Sequence, residues 1–64
     1  MLYRTSTRQY GNYLFQRWFD SKTQLYSVQL YSLDGSRIKN CEPSDTEDGA
    51  EINAFTFLHE YEEQ

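Results

Sequence analysis

The chain of 64 residues has one cysteine, one proline and three glycines, and no apolar run longer than Tyr13-Leu14-Phe15. Each scarcity excludes something. A single cysteine, Cys41, cannot form an internal disulfide, and no Cys/His cluster stands at zinc spacing. A run of three apolar residues falls far short of the roughly 20 that span a bilayer, and of the apolar core of a signal peptide. The chain therefore reads as soluble and cytoplasmic, a lone thiol being at home in a reducing compartment. Lys and Arg are missing altogether after Lys39. No internal repeat or low-complexity tract is present.

Length sets the next bound. Residues 1–64 make one small domain, and such a domain buries only about 60% of the surface its unfolded chain exposes. One small core rarely supplies more than about 3–5 kcal/mol. With disulfide and zinc excluded, aromatic packing and association are left to stabilise it. The composition has the material: six Tyr, four Phe and one Trp.

The net charge of −4 conceals a change of sign along the chain. Residues 1–41 hold all six basic residues and two acidic ones, a balance of +4, whereas residues 42–64 hold eight acidic residues and no Lys or Arg. Such asymmetry marks an acidic tail, a charged surface for a partner, or an acidic end that folds back on a basic one.

The pattern predicts an α+β fold: an antiparallel meander of three to four strands in residues 1–41, an acidic linker over 42–49 and a helix over 50–62. All-β is the alternative. Residues 2–7 are rich in strand formers, and Gly11-Asn12 punctuates the chain. Residues 13–19 and 25–32 are aromatic and β-branched, which predicts a hairpin with a five-residue loop from Asp20 to Gln24. Pairing Phe19 with Leu25 sets a register, because side chains alternate between the two faces. One face then carries Leu14, Gln16, Trp18, Tyr26, Val28 and Leu30. The other carries Tyr13, Phe15, Arg17, Phe19, Leu25 and Tyr31. Ser32-Leu33-Asp34-Gly35 suits a bulged three-residue turn with Gly35 in the left-handed region. That turn sets Tyr31 opposite Arg37 and Leu30 opposite Ile38, and so adds Ile38 to the first face.

Ser44 and Glu47 have the spacing of a capping box. Beyond them Ile52, Phe55, Leu58 and His59 recur at helical spacing, which predicts an apolar stripe lying on the first face of the sheet. A strand with Phe55, Phe57, His59 and Tyr61 on one side is the competing reading.

Little of this pattern points to catalysis. Cys41 and His59 are the only conventional nucleophile and base, and nothing in the sequence places them together. The acids of Glu42–Glu51 do not match a calcium loop. No enzyme activity, cofactor, metal or small-molecule substrate is expected. The informative feature is the second sheet face, too apolar for a surface left in water. Tyr13, Phe15, Arg17, Phe19, Tyr31 and Arg37 are its candidate partner-binding residues, of the types enriched at interface hot spots. The expected function is a non-enzymatic protein-binding module, a self-associating adaptor or an inhibitor, whose partner is another protein or a second copy. Two alternatives remain. Glu42, Asp45, Glu47, Asp48 and Glu51 could form an acidic surface that mimics nucleic acid and inhibits a nucleic-acid-binding protein. The aromatic face could instead stack single-stranded nucleic acid, a reading the acidic end disfavours because backbone affinity needs positive charge.

Overall fold

Four strands and a helix follow one another in the computed structural model, which describes residues 1–63. They are β1 (Leu2–Tyr10), β2 (Tyr13–Asp20), β3 (Leu25–Ser32), β4 (Arg37–Asn40) and α1 (Glu47–Glu62). The strands form one antiparallel sheet in the order β1-β2-β3-β4, and α1 packs against β3. The α+β expectation, a meander with a C-terminal helix on one face, describes this architecture.

Turn chemistry explains the meander. Gly11 takes φ +59°, the positive value a two-residue hairpin loop requires at its first position. Gly35 takes φ +92°, its N–H donates to the Ser32 carbonyl at 3.1 Å, and the Ser32 N–H donates to the Ser36 carbonyl at 2.9 Å. The bulged turn and the Tyr31–Arg37 pair are as the sequence predicts. One residue later the ladder shifts: Leu30 lies opposite Lys39, not Ile38, and Ile38 becomes the extra residue of a bulge while still packing on the core.

The hairpin between β2 and β3 corrects the expected register by one residue. Asp20, not Phe19, lies opposite Leu25, and the loop is Ser21–Gln24. Asp20 closes it locally, its carboxylate accepting the Lys22 N–H at 2.9 Å and its carbonyl accepting the Gln24 N–H at 2.6 Å. A one-residue slip turns every β2 side chain over relative to β3. Phe15 therefore lies opposite Leu30 and Arg17 opposite Val28. The helix side carries Tyr13, Phe15, Arg17, Phe19, Tyr26, Val28 and Leu30, while Leu14, Trp18, Leu25 and Tyr31 lie on the other side.

Helix α1 begins at Glu47, three residues earlier than the expected start at residue 50, and its cap lies two residues beyond Ser44, the capping position the sequence suggested. Thr46 is the N-cap, its hydroxyl accepting the Gly49 N–H at 3.0 Å. Ser44 instead pairs with Tyr26, extending the chain along β3 through two backbone bonds of 2.7 and 2.8 Å. The buried stripe also differs from expectation: Ala50, Ala54 and Leu58 face the sheet, whereas Ile52 is 64% exposed and His59 is exposed. Small alanines let the helix approach the large side chains that the sheet supplies. Phe15, Val28 and Leu30 are fully buried beneath it, each contributing about 1.5–3 kcal/mol of transfer free energy.

Candidate binding surfaces

The two faces of the sheet have different chemistry because only one is covered. On the helix side, Arg17 rises from β2 between two acids of α1. Its guanidinium donates to Glu51 through Nη2 and to Glu47 through Nη1 at 3.4 Å, with the Arg17 side chain 16% exposed and Glu51 19%. The Tyr10 hydroxyl reaches the same Glu51 oxygen at 3.5 Å. Aromatic rings close the rest of this side. Phe15 lies 4.8 Å from Tyr10 and 4.9 Å from Phe55, Phe19 lies 4.8 Å from Tyr26, and Tyr13 meets Tyr61 edge-on at 6.4 Å.

These contacts redistribute the residues expected to form one docking face. Phe15 is a core residue, and Arg17 is an ion-pair partner of the helix. Tyr13 and Phe19 are half-buried on the helix side. Tyr31 and Arg37 lie on the opposite, open side. The residues that join them there are Leu14 and Trp18, which the register expected in the sequence assigned to the core. Arg4 adds a second cation to the open side, since it lies opposite Trp18 in β1. Among the described residues no element covers this face. The Tyr31 hydroxyl donates to Gln29 at 2.8 Å, and the Trp18 indole Nε1 has no hydrogen-bond partner. An indole N–H without a partner is uncommon for a shielded Trp.

The acidic surface divides as well. Glu47 and Glu51 are engaged by Arg17, which leaves Glu42, Asp45 and Asp48 exposed without a shared cation of that kind. All of these acids belong to α1 or the segment leading into it, across the sheet from Trp18 and Tyr31.

Other chemistry is dispersed. Cys41 is 3% exposed, and burial pushes its thiol up from its ordinary range, the opposite of activation. His59 projects from the helix beside Glu63 at 3.1 Å and shares no hydrogen bond with Cys41 among the described residues. Cys41 floors a cleft of about 210 Å³ between β4 and α1, walled by Lys39, Asn53 and Phe57, with the Lys39 ammonium 4.7 Å above the Phe57 ring. No group of three or more potential metal ligands occurs among the described residues, and no helix is long and apolar enough to cross a membrane. Compared with known proteins, the chain matches no family model, no curated protein and no solved structure.

What could have revealed the open face is the apolar content of β2 on both of its sides. Leu14 and Trp18 alternate with Tyr13, Phe15 and Phe19, so one apolar set had to remain uncovered whichever register held.

Proposed function

We propose that this chain is a non-enzymatic protein-binding module that docks its partner on the open face of the sheet. One observation carries the reading. The helix covers a single face, and the other displays Leu14, Trp18, Leu25 and Tyr31 with Arg4 and Arg37 at its edges. Trp, Tyr and Arg dominate interface energetics, and Leu14, Trp18, Leu25 and Tyr31, each half-buried, form one apolar set on this face.

A photo-cross-linking residue at Gln16, in the middle of the open face, tests this against one at Thr56 on the exposed side of α1. Cross-linking to protein from Gln16 and not from Thr56 supports the reading. The reverse pattern overturns it.

The geometry also favours a second reading more than the sequence did. The acidic helix lies across the sheet from Trp18 and Tyr31, so its charge is not beside a strand of nucleic acid stacked on them. Titration with a single-stranded oligonucleotide decides between the two. Binding that weakens steeply with salt assigns the face to nucleic acid, whereas no binding at low salt removes that reading.

A further inference from the structure

We propose that the occupant of the open face is a second copy of this chain, packed sheet against sheet about a two-fold axis lying between the two sheets. The proposal rests on the reading of that face as the docking surface and names what sits there.

Charge is the first argument. The eight acids of residues 42–64 lie in α1 and the segments adjoining it, so the opposite side of the sheet is the side most remote from them. Two copies meeting at their open faces hold the acidic helices at opposite poles. With layers about 10 Å apart, both sheets and roughly 30 Å then separate the helices, well beyond the screening length of about 8–10 Å. Contact through the helices would instead press two strongly acidic segments together.

Self-complementarity is the second. The central strands carry the apolar residues near both of their ends: Leu14 lies opposite Tyr31, Trp18 opposite Ser27, and Leu25 is next but one to Ser27 on the same face. A two-fold axis along the strands lays β2 of one copy over β3 of the other, which places Leu14 on Tyr31 and Trp18 on Ser27, with Leu25 two residues further along. Leu14 and Tyr31 thus meet as apolar groups, and Asp20, opposite Leu25 at the end of β2, lies at the rim of the contact.

The cations obey the same geometry. Arg4 and Arg37 lie on opposite edges of the face, Arg4 in β1 level with Trp18 and two residues in from Leu2, and Arg37 in β4 beside Tyr31. An axis along the strands carries each arginine to the opposite edge at its own level, where Arg4 and Arg37 stay apart. With that axis Arg37 meets the neighbourhood of Gln9 of the other copy and no arginine faces an arginine, which avoids the like-charge contact that would oppose association.

Size is sufficient. Strands of up to nine residues in a four-stranded sheet give a face of roughly 500 Å² in projection at standard spacings. Two copies thus bury about 1,000 Å² or more, the threshold for a specific interface.

Sedimentation equilibrium of the full chain, from micromolar to near-millimolar concentration, tests the proposal. Wild type is expected to reach the mass of a dimer, at high salt as well as low. Ser27→Arg, which sets a charge beside Trp18 at the centre of the interface, should weaken association about thirtyfold or more. Thr56→Arg on the exposed side of the helix should change it less than about threefold. Thermal melts confirm that each variant folds, and Gln16→Lys replaces Ser27→Arg if that variant does not. A wild type that stays monomeric throughout overturns the second copy but leaves the docking face to be decided by cross-linking from Gln16. A dimer that ignores both open-face variants overturns the proposal and the open-face reading together.

Discussion

Arg17 and Glu51 join the sheet to the helix, a guanidinium from β2 donating to a carboxylate from α1 where the helix packs on the sheet. The two side chains are largely shielded from water, and Glu47 completes a fork around the same guanidinium. The basic strands and the acidic end of the sequence thus neutralise one another in part through one arginine.

Removing that arginine should loosen the helix. Arg17→Ala leaves Glu51 shielded and without its cation, a loss of about 1.5–3 kcal/mol for a hydrogen bond to a charged group. Arg17→Met with Glu51→Leu removes both charges and should recover most of the loss, since apolar replacements of paired shielded ions are often close to neutral. Denaturant midpoints of the two variants check this. Equal destabilisation in both would show that the ion pair is incidental.

Gly49 should resist the substitution that usually stabilises a helix. Alanine is favoured over glycine in helices by about 1 kcal/mol. At this position, however, a Cβ would lie 2.2 Å from the Ser44 hydroxyl, 3.0 Å from the Ser44 Cβ and 2.9 Å from the Thr46 hydroxyl that caps the helix. Gly49→Ala is therefore expected to destabilise by about 1 kcal/mol, the scale of a lost cap. Introduced into Ser44→Gly, the same change should become neutral or favourable. Thermal melts of the four combinations give the coupling directly, and a stabilising Gly49→Ala in the wild-type background would contradict the close approach.

How much of this was legible in the sequence depends on where each determinant lies. Ser32, Asp34 and Gly35 carry their turn within a few residues, so it could be read from composition and spacing. The hairpin register could not, because β2 is apolar on both faces and the pattern does not choose between them, while Arg17 finds its partners only in the distant helix. Its counter-charges, Glu47 and Glu51, lie 30 and 34 residues further along the chain. The helix itself was legible, but its buried side was not: Ala50 and Ala54 carry little weight in a pattern dominated by Ile52 and Phe55, although small size is what suits them to the interface. Tyr31 and Arg37 kept their place on an open face because β3 and β4 were paired correctly at that point.

Acid should weaken the turn between β3 and β4. The Ser32 hydroxyl donates to the Asp34 carboxylate, and the Ser36 N–H donates to it at 2.9 Å. These donors, Ser32 first, lower Asp34 from an ordinary value of 3.8 to about 2. A carboxylate lowered in the folded state stabilises it above its unfolded value and loses that effect as pH falls through the folded one. The contribution of Asp34 should therefore be complete above about pH 4 and fade toward pH 2. Asp34→Asn should melt below wild type at neutral pH, with the gap closing over that window. A gap that stays constant down to pH 2 would contradict the assignment.

The register itself can be tested by comparing neighbours in β2. Phe15 is fully buried between the helix and Leu30, in ring contact with Tyr10 and Phe55. Leu14 points the other way, half-buried on the open face. Phe15→Ala should cost about 3–5 kcal/mol, enough to unfold so small a domain. Leu14→Ala should cost about 1 kcal/mol, near the ordinary effect of a single substitution. Pairing Phe19 with Leu25 reverses this order, since it buries Leu14 and exposes Phe15. Circular dichroism melts of the two variants thus separate the registers without reference to any partner. A Phe15→Ala protein that melts as cooperatively as wild type, beside a Leu14→Ala protein that does not fold, would return the β2–β3 pairing to the five-residue loop and turn the open face over.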